Sequence, residues 1–168
     1  YETVKKINEK IIYCSITGYG QTGPMKDHAG HDLNYMALSG TLDQIGSKNS
    51  PPQMLNLQVS DIAGGALMGC IGILAAVIGK QSRYIDVAML DATLSLNLVT
   101  LAHLNLAGKT PERGSDVLSG KFPFYQIYET SDTRYMALAA FEKKFWINFC
   151  NQIKKPDWIT FYDQPNVN

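Results

Sequence analysis

Cysteine, histidine and tryptophan are scarce in this 168-residue sequence, with three, three and two copies respectively. Cys14, Cys70 and Cys150 never approach a CxxC spacing, so a disulfide framework and a cysteine-built zinc site are both excluded, and they read as buried thiols in a reducing compartment. Net charge is also missing, because 15 Lys and Arg balance 15 Asp and Glu. Without a basic excess the chain lacks the attraction that nucleic-acid binding needs, and no such partner is expected. There is no Asn-x-Ser/Thr acceptor, and Tyr1-Glu2-Thr3-Val4-Lys5-Lys6 has no signal-peptide layout. A start without Met, followed soon by a strand-like run, implies an upstream part. The expected location is the cytoplasm or, in a eukaryote, an organelle matrix.

What is present is a globular mixture: 45% hydrophobic and 18% charged residues argue against disorder. Residues 62–79 carry no charge and contain Gly65-Ala66-Leu67-Met68-Gly69, a GxxxG pattern that membrane helices use. The run sits at the lower length limit for a span, follows Asp61, and has no Trp or Tyr at its ends. It reads as a core helix whose small residues pack closely on a sheet, with no membrane as partner.

Residues 11–17 form a β-rich apolar run stopped by Gly18, which predicts a buried strand. Residues 18–30 hold four Gly and one Pro and predict a sharply bent loop. A short helix is expected over 32–39, with Leu33, Met36 and Ala37 at helical spacing and Gly40 as its stop. Residues 48–52 read as a polar, Pro-rich loop. Asp61 stands where a capping carboxylate is favoured, at the entry to the apolar helix. A second strand is expected over 84–87 and one long helix over 88–107. After a loop at 109–120, residues 124–129 and 135–140 predict a hairpin turned by Thr130-Ser131-Asp132. Residues 142–153 predict an amphipathic helix with Phe145, Trp146 and Phe149 on its apolar side, and a last short helix or a frayed end follows Pro156. Helices alternating with strands indicate the α/β class.

Gly18-Tyr19-Gly20-Gln21-Thr22-Gly23 fits GxGxxG directly after a strand. A dinucleotide site needs the last glycine inside a helix that faces the pyrophosphate, but Pro24 and a stretch without helical period follow, so these glycines read as a turn. His28 and His31 could begin a metal site, yet the only other histidine, His103, lies in an apolar helical run, and no metal is expected.

Gly30-His31-Asp32-Leu33-Asn34-Tyr35 is denser in chemistry. Gly30 lets backbone approach a ligand, His31 exchanges a proton near neutral pH, and amides at a helix start can hold an oxyanion. The plainer alternative is a His-Asp helix cap on a surface loop. In Asp61-Ile62-Ala63-Gly64-Gly65 a carboxylate beside two glycines is either a structural cap or a reactive acid with room for substrate; alone, it reads as a cap.

Together these pieces resemble the family III CoA-transferases (CaiB/BaiF), and within them the α-methylacyl-CoA racemase branch. The resemblance is carried by Ile16-Thr17-Gly18-Tyr19-Gly20-Gln21-Thr22-Gly23-Pro24, by GHDLNYMALSG over residues 30–40, and by Asp61-Ile62-Ala63-Gly64-Gly65. Ile85-Asp86-Val87-Ala88-Met89-Leu90-Asp91 and Phe122-Pro123-Phe124-Tyr125 follow in the family's order. It implies the central portion of an α/β fold whose subunits interlock as a homodimer. Residues 1–110 would then be part of a large nucleotide-fold-like domain and its linker, and residues 111–168 part of a smaller domain.

For the site, the resemblance implies catalysis by His31 and Asp61 across the α-carbon of an acyl-CoA. It also implies an orienting role for Glu142 and an acyl-CoA surface made by Gly30, His31, Asp32, Leu33, Asn34 and Tyr35, with the Asp32 amide near the thioester oxygen. Coenzyme A enters as a thioester substrate, and no separate cofactor is expected. Proton removal α to a thioester needs a base titrating near working pH and a stabilised enolate oxygen, and a partly buried Asp61 with a raised pKa would be the matching acid. Met36, Met68 and Met89 could face a branched acyl chain, though core packing is the plainer role for each.

Three functions stay open. One is an acyl-CoA racemase or epimerase. The second is a CoA-transferase in which Asp61 forms an acyl anhydride. The third is an assembly segment without catalysis of its own. The chain also departs from the family, lacking the flanking nucleotide-fold parts and keeping only Gly79-Lys80-Gln81-Ser82-Arg83 where the family has a longer basic turn.

Overall fold

A computed structural model describes residues 1–165. The chain divides into two compact units, one of residues Tyr1–Ile45 and Pro52–Thr110, the other of Gly46–Pro51 and Pro111 onward.

The first unit is built on two parallel strands, β1 (Ile12–Thr17) and β2 (Arg83–Ala88), paired from Ile12↔Arg83 to Thr17↔Ala88. A short α1 (Glu2–Ile7) precedes β1, and α2 (Asp32–Leu38) follows the glycine-rich loop. The connection to β2 runs through a π-helical segment, Ser60–Leu67, continuing directly as α3 (Met68–Ile78). Glycines let this helix reach the strands. A Cβ on Gly69 would lie 2.9 Å from Ile16 Cδ1, one on Gly72 2.9 Å from Ile85 Cγ2, and one on Gly65 3.3 Å from Ile16 Cγ2. Buried Ala76 extends the same stripe.

Only that stripe is covered. Ile62, Leu67, Ile71, Leu74 and Ile78 are exposed, so the expected core helix is buried on its glycine side alone. By length and composition Ser60–Ile78 could cross a membrane, but its small-residue side is occupied by the sheet. Cys70, expected to be buried, is exposed on this helix, while Cys14 is half-buried and Cys150 fully buried.

The loop after β1 is a tied turn. Gly20 N–H donates to Thr17 Oγ1 at 3.0 Å, Gln21 N–H to Asp86 Oδ2 at 2.9 Å, and Leu90 N–H to the Gly18 carbonyl at 3.0 Å. Gly20 and Gly23 have φ of +82° and +83°, a region that favours glycine. The next helix, α2, begins only at Asp32, so the GxGxxG geometry for a dinucleotide does not form. On α2 the buried residues are Tyr35 and Met36, whereas Leu33 is exposed.

The long helix expected over 88–107 is two helices, α4 (Met89–Leu96) and α5 (Leu98–Ala107). The break falls at Asn97, whose backbone leaves helical geometry at φ −83° and ψ 38° and whose side-chain amide donates to the Ser39 carbonyl at 3.4 Å.

The second unit holds the antiparallel hairpin β3 (Tyr125–Glu129) and β4 (Tyr135–Ala139), in register from Tyr125↔Ala139 to Glu129↔Tyr135. Behind it lie α6 (Lys143–Gln152) and a 3₁₀ helix, Pro156–Asp163. Its core is Phe124, Ala140, Trp146 and Cys150. Phe145, expected beside Trp146, is exposed, because the buried face runs through positions 146 and 150, one helical turn apart.

Candidate active site

His31 ends the glycine loop and caps α2 in extended backbone, with φ −132° and ψ 173°. Its N–H donates to Asn34 Oδ1 at 3.0 Å, and its carbonyl accepts Asn34 N–H at 2.8 Å. A residue three positions into the helix thus fixes the backbone of the histidine. Gly30 has a steric task, since a Cβ there would lie 2.7 Å from Tyr19 Oη and 2.8 Å from Tyr35 Cε1. The Tyr35 ring also fills the space over Gly18, whose added Cβ would fall 2.6 Å from Tyr35 Cε1, and it meets Tyr19 edge-on at 5.3 Å between centroids. Tyr35 is 3% exposed, and burial, then Tyr19, then Asp61 push its hydroxyl pKa upward, so it stays protonated.

The second half of the site starts at Ser60. Ile62 N–H already bonds the Gln58 carbonyl at 3.0 Å, which leaves Ser60 and Asp61 as amides at the helix start. Both donate to Asp32 Oδ1, at 2.6 Å from Ser60 and 3.1 Å from Asp61. The cap is therefore Asp32 and not Asp61, which corrects the reading of Asp61 as the capping carboxylate. A negative group at the positive end of a helix is favoured electrostatically. Ser60 is fully buried, its hydroxyl 2.8 Å from Thr93 Oγ1, which in turn donates to the Met89 carbonyl at 2.7 Å. Asp61 beside it is exposed, contrary to the partly buried acid expected.

The structure thus brings together, in one unit, His31 and Asp32 at the start of α2 and Ser60 and Asp61 at the start of the next helix. The side chains of His31 and Asp61 are both exposed. Leu33 and Asn34 are exposed on the first turn of α2, while Gly30 and Tyr35 serve the packing around it. Met89 packs its Sδ against Gly65, where an added Cβ would lie 3.0 Å away, and Met36 is buried. A recess of about 450 Å³ lies apart from His31, Asp32, Ser60 and Asp61, between β2, α3 and α4, lined by Tyr19, Thr22, Met68, Ile85, Asp86 and Asp91.

Glu142 belongs to the second unit. It is exposed at the N-cap of α6, where its carbonyl accepts Phe145 N–H at 2.8 Å. Sequence reasoning missed Ser60 and Thr93, a buried polar pair between helices. In the sequence they are a hydroxyl at the start of one apolar helix and another in the middle of α4.

The chain is 37% identical over 150 residues to human (Homo sapiens) alpha-methylacyl-CoA racemase, covering 86% of this chain and 39% of that one. It is 31% identical over 170 residues to succinyl-CoA:mesaconate CoA-transferase of Haloarcula hispanica, covering 96% and 42%. Among solved structures, a CAIB/BAIF family protein from Brucella suis superposes with a TM-score of 0.78 at 28% identity, covering 95% of this chain and 43% of that one. The chain thus spans about two fifths of the length of the curated relatives it matches. The model of CoA-transferase family III matches residues 1–167, and the chain belongs to that family and carries part of its α/β fold.

Proposed function

We propose that the protein works on acyl-CoA thioesters and that His31 and Asp61 form an acid–base pair at the α-carbon, racemising or epimerising 2-methylacyl-CoA. The observation that carries this reading is the Asp32 carboxylate, which bonds the amides of Ser60 and Asp61 and so holds the backbone of Asp61 against the residue next to His31. One of the pair removes the α-proton, and the electron pair of that C–H bond moves onto the thioester oxygen. The Asp32 N–H, at the start of α2, is the group assigned to that oxygen. The other member returns a proton on the opposite face, restoring the thioester with inverted configuration at the α-carbon. Coenzyme A is part of the substrate, and the whole protein is read as a homodimer.

A second reading has its own support, because the chain is also similar to a CoA-transferase and Asp61 is exposed. There a carboxylate oxygen of Asp61 attacks the thioester carbonyl, the C–S bond breaks, and CoA leaves as thiolate while the acyl group stays on Asp61 as a mixed anhydride.

The full-length protein incubated with 2-methylacyl-CoA in deuterium oxide separates the readings. Deuterium entering at the α-carbon, and lost in His31→Ala and Asp61→Asn, supports the acid–base pair. An acyl group trapped from Asp61 by hydroxylamine, without wash-in, supports the transferase. Neither signal, with no CoA binding, leaves an assembly segment. The orienting role that the resemblance gives Glu142 predicts slower wash-in for Glu142→Gln.

A further inference from the structure

Asp32 follows the candidate base in sequence, and its backbone amide is the part that the proposed chemistry uses. Its side chain has a separate task. Oδ1 of the carboxylate accepts two hydrogen bonds from the neighbouring helix, from Ser60 N–H at 2.6 Å and from Asp61 N–H at 3.1 Å. Bonds from amides to an ionised carboxylate are stronger than those between neutral groups, and here they also meet the positive end of the helix.

The far side of the same turn is fixed as well. Ser60 is fully buried against Thr93, and a Cβ on Gly64 would lie 2.9 Å from Thr93 Oγ1 and 3.0 Å from the Met89 carbonyl, so α4 bears directly on this turn. Between the buried Ser60 and the exposed Ile62, the Asp61 side chain leaves the helix from a backbone held on both sides.

The geometry points to Asp32 as a positioning residue. Its carboxylate ties the start of the helix that carries Asp61 to the segment that carries His31, and so sets the separation of the two reacting side chains. The inference rests on the reading in which Asp61 reacts with substrate. It adds that Asp61 is placed by a residue whose side chain need not touch the substrate.

The test uses two readouts on the full-length protein. Amide hydrogen exchange at Ser60 and Asp61, followed by mass spectrometry, is expected to be at least about ten times faster in Asp32→Ala and near wild type in Asp32→Asn, whose Oδ1 still accepts both bonds. With 2-methylacyl-CoA, kcat is expected to fall roughly 100-fold in Asp32→Ala at nearly unchanged KM, as expected for reacting groups displaced by about an ångström, and Asp32→Asn should recover most of that loss. Unchanged exchange in Asp32→Ala overturns the inference whatever the activity, and so does a rise in KM at constant kcat. A wild-type protein that shows neither wash-in nor acyl trapping sinks the catalytic reading instead, and the tether is then decided by the exchange rates alone. If Asp32→Ala does not fold, the Asp32→Asn and Asp32→Ser proteins decide. Serine is too short to reach both amides, and exchange as slow as in Asp32→Asn would overturn the tether.

Discussion

The two units achieve close packing by opposite means. In the first, the helix over Ser60–Ile78 meets its neighbours where side chains are absent: Gly64 under α4, Gly65 and Gly69 on Ile16, Gly72 on Ile85. In the second, the interior is filled by rings. Trp146 is 2% exposed, Phe124 stacks on Tyr162 at 4.8 Å and on Phe122 at 5.2 Å, and Trp146 donates through Nε1 to the Trp158 carbonyl at 3.2 Å. One unit is sensitive to atoms added and the other to atoms removed. The candidate site stands on the first kind of packing, which fixes backbone directly and leaves little freedom to the turn that bears Asp61.

The largest effect should come from emptying the second unit. Trp146→Ala removes the biggest buried side chain and is expected to cost about 3–5 kcal/mol, the range for a large core aromatic cut back to alanine. Both tryptophans, Trp146 and Trp158, lie in this unit, so urea unfolding of the variant can still be followed through Trp158 fluorescence. A midpoint close to wild type would show that rings do not carry this core.

The matching change in the first unit adds a single methyl. Gly64→Ala gains roughly 0.5–1 kcal/mol of helix propensity. It also sets a Cβ 3.0 Å from the Met89 carbonyl, which is backbone and cannot swing away. Overpacking of this kind costs about 1–3 kcal/mol, so the net effect should be destabilising by about 1 kcal/mol. Far-UV circular dichroism should register the loss, while the tryptophan fluorescence transition keeps its midpoint. Should both signals move together, the contrast between the units fails, because they would then unfold as one block.

How far this was legible in the sequence depends on the range of the interaction concerned. β1, β2 and the hairpin follow from local apolar runs and turn residues, and all three form close to where those patterns place them, although β1, expected to be buried, has no fully buried residue. The helix over Ser60–Ile78 was legible as a helix but not as one buried on a single stripe, since its apolar residues go all the way round and only glycine spacing marks the covered side. Nothing in the sequence pattern over 88–107 marks Asn97 as a break, and the carbonyl its side chain reaches, Ser39, is far away in sequence. In the site, His31 and Asp61 stood out by residue type. The cap was assigned to Asp61 because a carboxylate at a helix start is locally favoured, whereas the group that takes those amides is Asp32, 28 and 29 positions upstream. No local pattern encodes that bond. Tyr35 shows the converse, a chemically suggestive residue in a dense motif whose ring packs over two glycines.

The smallest expected effect tests whether the second unit depends on its rings or also on surface charge. Asp132 lies in the hairpin turn, where the Arg134 guanidinium first, and then the Thr130 hydroxyl, hold its carboxyl below the usual carboxylate range. A carboxylate with a depressed folded pKa contributes stability above its unfolded value, near pH 4, and loses it as the pH falls through the folded value. The pair is exposed, so solvent and salt screen it heavily. Asp132→Asn should therefore shift the urea midpoint only slightly at pH 7 in low salt, and the difference should vanish at pH 2 or in 1 M salt. If a clear difference persisted under both conditions, charge would not be the cause. It would lie instead in the turn itself, where Thr133 adopts φ +62° and Thr130 N–H closes on the Arg134 carbonyl at 2.8 Å, geometry that a change at Asp132 could disturb without any ion pair.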